Sequence, residues 1–95
     1  MKRTIASHIE MTPGVCGGKP RITGTRIRVQ DVFVWHELQG QSPDEIVANF
    51  PQLTMADVYA ALAYYFDHRE VIDAQMKAAD ELIAAMKLNH ISKLN

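Results

Sequence analysis

Two helix-start signals that lie twelve residues apart constrain how this chain can fold. The sequence S-P-D-E at 42–45 and the sequence T-M-A-D at 54–57 each place a hydroxyl residue three positions before a carboxylate. In such a capping box the hydroxyl accepts a backbone N–H of the first helical turn, and the carboxylate accepts the N–H of the cap residue. The pattern predicts one helix from Pro43 that stops at Pro51, and another from Met55 to about His68.

Apolar periodicity predicts helices on both sides of this pair. Residues 30–39 are apolar almost all round and are followed by Gly40, a residue type that commonly ends helices. Residues 69–87 repeat their apolar positions at helical spacing. Neither proline nor glycine marks the junction before this fourth helix, so a bend and a continuous helix both remain open. The third helix has an apolar face formed by Val58, Leu62, Tyr65 and Phe66.

The first thirty residues are less regular. Residues 4–11 alternate apolar and polar side chains over a segment too short for a stable helix, which predicts a strand. Two extended pieces are predicted at 21–23 and 26–29. A loop rich in glycine and proline separates them from the predicted strand at 4–11. The predicted fold is therefore mainly α, with a helix-turn-helix-like core of three helices, a short N-terminal β region and a C-terminal helix.

Chain length and hydropathy limit the number of domains and the cellular compartment that we expect for this chain. Its 95 residues fit a single domain, and no apolar stretch approaches the ~18 residues that a membrane span needs. Residues 4–8 lack the apolar run of a signal peptide. Cys16 is the single cysteine, so an intrachain disulfide is excluded and a reducing compartment fits. A cytoplasmic protein without membrane association is expected.

Charge is distributed unevenly, although the net charge is only −1. Residues 1–30 hold six basic side chains and one carboxylate, whereas the remainder holds four basic side chains and ten carboxylates. An anion-binding surface is predicted from four cations: Lys19, Arg21, Arg26 and Arg28. If the anion is DNA, neutralising three phosphates with Arg21, Arg26 and Arg28 would give a log–log salt slope of about −2.7. Two solvated faces of opposite sign are the alternative interpretation.

The third helix is a poor candidate for reading DNA bases. A recognition helix offers Arg, Lys, Asn, Gln or Ser to the major groove near its N-terminus. Here that end carries Met55, Ala56 and Asp57, and an aspartate facing phosphates repels them. A helix-turn-helix-like fold is thus compatible with a chain that does not read DNA.

No catalytic or metal-binding constellation is legible. The glycine-rich segment 14–19 resembles a phosphate-binding loop only superficially, because Pro13 and Pro20 occupy positions where that motif needs Gly and Ser or Thr. The four histidines contain no i, i+4 pair, and Cys16 has no local group that would orient a nucleophile. The expectation is a protein that is not an enzyme and holds neither a cofactor nor a metal.

The fourth helix carries a stripe with the spacing of a coiled-coil seam. Its apolar positions follow one another at intervals of four, three, four and three residues, at Ile72, Met76, Ala79, Ile83 and Met86. An intermolecular seam, in a dimer or against a partner, is predicted from Ile72, Met76, Ile83 and Met86. The alternative is that the stripe packs on the chain's own core.

Residues 17–29, GGKPRITGTRIRV, resemble the GGKPxIxGTRIxV signature of domain-of-unknown-function family 433. Residues 38–46, 50–54 and 57–65 are similar to later parts of the same family's domain. The resemblance covers roughly residues 4–68. It divides the chain into a family domain over residues 1–68 and a C-terminal helical extension over residues 69–95.

The resemblance implies a homeodomain-like tri-helical fold and a role as the antitoxin of a type II toxin–antitoxin pair. The toxin partner would be a PIN-like ribonuclease, whose active site is a cluster of carboxylates around a divalent metal, and DNA would be a second candidate ligand. Cationic side chains suit such an acidic site. The alternative function is a protein–protein adaptor or homodimeric interaction module without a DNA role.

Overall fold

The computed structural model describes the backbone of residues 5–94 and the side chains of residues 7–89. Residues 1–4 and residue 95 lie outside the described residues. Residue 4 belongs to the predicted strand, and the others belong to the predicted family domain and the predicted C-terminal extension. Within the described range the chain is mainly helical, with one small sheet. The helices are α1 Ile5–His8, α2 Val29–Phe33, α3 Pro43–Asn49, α4 Met55–Asp67 and α5 Arg69–Leu94, and the strands are β1 Ile9–Glu10 and β2 Arg21–Ile22.

Both capping boxes are present. Ser42 Oγ accepts the backbone N–H of Glu45 at 3.2 Å, and Glu45 Oε1 accepts that of Ser42 at 3.4 Å. Thr54 Oγ1 accepts the N–H of Asp57 at 3.1 Å, and Asp57 Oδ2 accepts that of Thr54 at 2.9 Å. These hydrogen bonds confirm the predicted starts of α3 and α4. The sequence could predict both starts because each depends on only four consecutive residues.

The helix predicted at 30–39 begins as α2 and continues as a π-helical turn over Val34–Leu38. Gln39 N donates to Val34 O at 2.9 Å, a bond five residues back, and Gly40 follows with a φ of +71°. The Trp35 ring stacks on Phe50 at 4.4 Å between centroids. The apolar composition of this segment predicts burial on every side. Leu38 is exposed, so the segment is not buried all round.

The N-terminal strand prediction is wrong for its first half. Ile5–His8 is a helical turn that packs against α4, and only Ile9–Glu10 is a strand. β1 pairs antiparallel with β2, with Ile9 opposite Ile22 and Glu10 opposite Arg21. An isolated bridge between Arg21 and Arg28 extends this small sheet by one residue pair. Tertiary packing overrides the alternating pattern of so short a segment.

The core lies between the sheet and helices α2 to α5, with α4 at its centre. Phe33 of α2 stacks on Tyr65 of α4 at 4.1 Å between ring centroids. The buried core side chains are Ile22, Val29, Val32, Ile46, Leu53, Val58, Ala61, Leu62, Tyr65 and Ile72. Burial of this apolar surface is the main contribution to folding.

α5 begins after a break at His68, whose φ of −129° and ψ of 32° are not helical. Ile72 joins the core, and the Tyr65 hydroxyl donates to Asp73 at 2.8 Å, so the first turns of α5 are held against α4. From residue 80 to residue 89 every side chain is exposed. The described chain measures 59 × 28 × 23 Å, and its length reflects a helix of 26 residues, about 39 Å long.

Candidate binding surfaces

Arg21 does not belong to the anion-binding surface predicted for it. Its side chain is buried, and its guanidinium donates to Glu10 Oε1 at 2.7 Å and to Thr12 Oγ1 at 3.2 Å. The strand register places Glu10 directly opposite Arg21, so the pair forms across the sheet. A buried arginine whose charge is matched internally cannot meet an external anion.

Arg28 is also matched within the chain. Its guanidinium donates to Asp31 twice, at 2.9 Å and 3.2 Å, and its backbone N–H donates to the same carboxylate at 2.9 Å. The hydrogen bonds to Asp31 raise the pKa of Arg28 above its usual value. Because the side chain is only half-buried, it remains partly accessible with its charge compensated.

Arg26 and Lys19 differ from these two arginines. Within the described part of the chain, neither side chain forms an ion pair, and Arg26 is exposed while Lys19 is half-buried. Both lie in residues 17–29, which we call the signature loop. Hydrogen bonds hold its turn, because Thr25 Oγ1 donates to Ile22 O at 2.8 Å and Gly24 N donates to Glu10 Oε1 at 3.2 Å. The signature loop therefore presents two unpaired cations, Arg26 and Lys19, beside a turn that hydrogen bonds hold in place.

α4 presents a second surface, its outer aromatic face. Tyr59 and Phe66 are 56% and 52% exposed and lie seven residues apart, which places them on the same side of the helix. Phe66 was predicted to lie on the apolar core face, but the core face is covered by Val58, Leu62 and Tyr65. Exposed aromatic side chains are enriched where proteins bind proteins.

Asp57 turns inward instead of facing a ligand. It is buried, and its Oδ1 accepts a hydrogen bond from His8 Nδ1 at 2.7 Å. Burial favours the neutral acid, but hydrogen bonds from Thr54 and His8 outweigh it and lower the pKa of Asp57 below 3.8. Asp57 therefore does not face outward at the start of α4, as the expectation of repulsion from DNA phosphates assumes. Sequence reasoning missed the His8–Asp57 pair, because 49 residues separate its members.

The predicted seam on α5 is divided by the structure. Ile72 is 1% exposed inside the chain's own core and Met76 packs partly buried against it, so Ile72 is not available to a partner. Ile83 and Met86 are 50% and 61% exposed. Leu82, which the seam spacing omits, is 62% exposed beside them.

The remaining chemistry-bearing side chains are scattered. Among residues whose side chains are described, no three His, Cys, Asp or Glu groups lie close enough together to hold a metal ion. Cys16 has a φ of +51° and its Sγ donates to Arg26 O at 3.5 Å. No described helix is long and apolar enough to cross a membrane.

The family model described as "Protein of unknown function (DUF433)" matches residues 9–65, which include the signature loop and almost all of α4. A crystal structure of a DUF433 member protein from Anabaena variabilis ATCC 29413 is similar, with 44% sequence identity and a TM-score of 0.67. The similarity covers 75% of this chain and 69% of that one. No curated protein sequence matches significantly. Since the family model spans more than half of the sequence, this chain belongs to the DUF433 family.

Proposed function

We propose that this chain is a non-enzymatic binding protein, the antitoxin-like partner of a PIN-like ribonuclease in the cytoplasm. In this proposal α2, α3 and α4 form a homeodomain-like, helix-turn-helix-like unit that is used to bind protein. The role is the one that the family resemblance implies. The observation that carries it here is the outer aromatic face of α4, together with the two unpaired cations of the signature loop, Arg26 and Lys19.

The two surfaces suit different parts of such a partner. Tyr59 and Phe66 offer rigid apolar area, of the kind that anchors protein interfaces. Arg26 and Lys19 offer charge-assisted hydrogen bonds to carboxylates, which a PIN-like active site collects around its metal. Arg21 and Arg28 already bind carboxylates of their own chain, so they contribute little to this attraction.

Reconstitution with a ribonuclease tests this function. If the gene next to this one encodes a PIN-like protein, that protein would be expressed, and its Mg²⁺-dependent cleavage of RNA measured against increasing amounts of this chain. We expect stoichiometric inhibition, weakened at least about tenfold by Arg26→Ala or by Tyr59→Ala with Phe66→Ala. Lys77→Ala, which removes an exposed cation from α5, is the matched control and should inhibit normally. Undiminished cleavage at saturating wild-type protein contradicts the proposal.

A second candidate function is a protein–protein adaptor without a DNA role. The aromatic face of α4 favours it, because this surface lacks the donors that read base edges. Titration of the chain into duplex DNA at low salt separates the candidates. Binding that weakens with salt supports a DNA-binding antitoxin, whereas no binding together with ribonuclease-independent capture of a defined protein partner supports the adaptor.

A further inference from the structure

We infer that the distal half of α5 is a self-association surface, on which two copies of this chain pair through their α5 helices in antiparallel orientation. The occupant of the surface is a second copy of this chain. This inference goes beyond the proposed function and does not depend on it. It rests on the exposed apolar row of α5 and on the charges beside that row.

The apolar row is a continuation of the core. Ile72 is buried and Met76 is half-buried, and the same face of α5 continues through Ala79 to Ile83 and Met86. Leu82, Ile83 and Met86 lie within one helical turn of each other, at 62%, 50% and 61% exposure. Past Ala79 no described element of the chain covers this face, since every side chain from 80 to 89 is exposed.

Charges beside the row specify the orientation. Asp80 and Lys87 lie seven residues apart and therefore share one edge of the row, while Leu82 and Asn89 share the other. In an antiparallel pair the two like edges meet, so Asp80 of each copy lies level with Lys87 of the other. Ile83 then packs against Met86 across the axis. In a parallel pair the charged edge would meet Leu82 and Asn89, and neither charge would find a partner.

Sedimentation equilibrium of the full chain tests the inference. The contact is shorter than a standard interface, so we expect a monomer–dimer equilibrium between about 1 µM and 1 mM. Ile83→Asp should raise the dissociation constant at least about tenfold, because it places a charge in the apolar row. Leu88→Asp is the matched control: Leu88 is 65% exposed on the opposite face of α5, and its replacement should leave the constant unchanged.

Reversal of the edge charges tests the orientation at low ionic strength, where they are least screened. Asp80→Lys alone and Lys87→Asp alone each place like charges opposite one another in the antiparallel pair, so each should weaken dimerisation. The double variant should restore it. In a parallel pair the double variant would show no such recovery.

Circular dichroism and thermal melting accompany each variant, and the four substituted positions are exposed, so each variant should fold like the wild type. A wild-type chain that stays monomeric at 1 mM overturns the inference. So does an Ile83→Asp variant that dimerises normally, or a double charge variant that remains weak. A monomeric wild type in which Ile83→Asp abolishes binding of another protein also overturns it, because the row then belongs to that partner.

Discussion

Asp57 performs two structural roles with one carboxylate. One oxygen accepts the Thr54 N–H and so begins α4, and the other accepts the His8 ring N–H, which fastens α1 to α4. Asp57→Ala removes both bonds and leaves the buried His8 unpaired. We expect a loss of about 2 kcal/mol or more in the free energy of unfolding, which is roughly 8 to 16 °C in melting temperature.

Glu45 provides the matched control, because it occupies the same position in the capping box of α3 but is exposed, and among the described residues its carboxylate accepts a hydrogen bond from Ser42 alone. Glu45→Ala should change the free energy of unfolding by no more than about 0.5 kcal/mol. Equal effects of the two substitutions in urea denaturation would show that the His8–Asp57 bond adds nothing to the cap.

The same carboxylate gives the stability a pH dependence. The pKa of Asp57 is lower in the folded chain than its usual 3.8, so the unfolded chain binds the proton more tightly. The stabilisation is therefore complete above pH ~4 and is lost as the pH falls through the folded pKa. Denaturation curves between pH 5 and 2 should lose less free energy for Asp57→Asn than for the wild type. Parallel curves for the two proteins would contradict this assignment.

Gly24 is needed for its backbone conformation. Its φ is +78°, and a Cβ built there meets nothing within 4 Å, so strain rather than a clash decides the effect of substitution. Gly24→Ala should cost about 1 kcal/mol and lower the melting temperature by roughly 4 to 8 °C. Gly24→Asn should cost less, because asparagine tolerates the left-handed region. An unchanged melting temperature for the alanine variant combined with lost binding would mark Gly24 as a contact residue.

At the scale of one element, the two halves of α5 differ in burial. The first half contributes to the core, and the distal half extends beyond it. Ile72 is 1% exposed and Ile83 is 50% exposed on the same helix. Ile72→Ala should cost about 2 to 5 kcal/mol, because it leaves a cavity in the core. Ile83→Ala should cost less than about 1 kcal/mol when melting is measured at low micromolar protein concentration. Similar losses for both would place the distal half of α5 in the folding core.

At the scale of the whole molecule, internal ion pairs reduce the basic character of the N-terminal third. Arg21 and Arg28 are matched by Glu10 and Asp31, which leaves Arg26 and Lys19 as the cations of the signature loop. If the chain binds DNA, two neutralised phosphates give a log–log salt slope of about −1.8, instead of the −2.7 expected for three.

Fluorescence anisotropy with duplex DNA at several salt concentrations measures this slope. Arg26→Ala should reduce its magnitude by about 0.9. Arg21→Lys, at a buried position, is the control and should leave the slope unchanged provided that the variant folds. A wild-type slope of −2.7 or steeper would show that paired or further cations take part.

Features decided by neighbouring residues were accessible from the sequence. The starts of α3 and α4 follow from hydroxyl and carboxylate groups three residues apart, and the turns at Gly24 and Gly40 follow from a residue type that accepts a positive φ. These interactions close within one turn of chain, so their energetics do not depend on what packs around them. The signature loop was located by its resemblance to the family motif.

Features decided by distant residues were not accessible. Whether Arg21 meets solvent depends on Glu10, eleven residues away on the facing strand, and whether Asp57 faces outward depends on His8. The regular spacing of the apolar stripe on α5 likewise does not show that Ile72 lies against α4 whereas Ile83 does not. Periodicity reports which face of a helix is apolar, but only the path of the rest of the chain decides how far along that face the core extends.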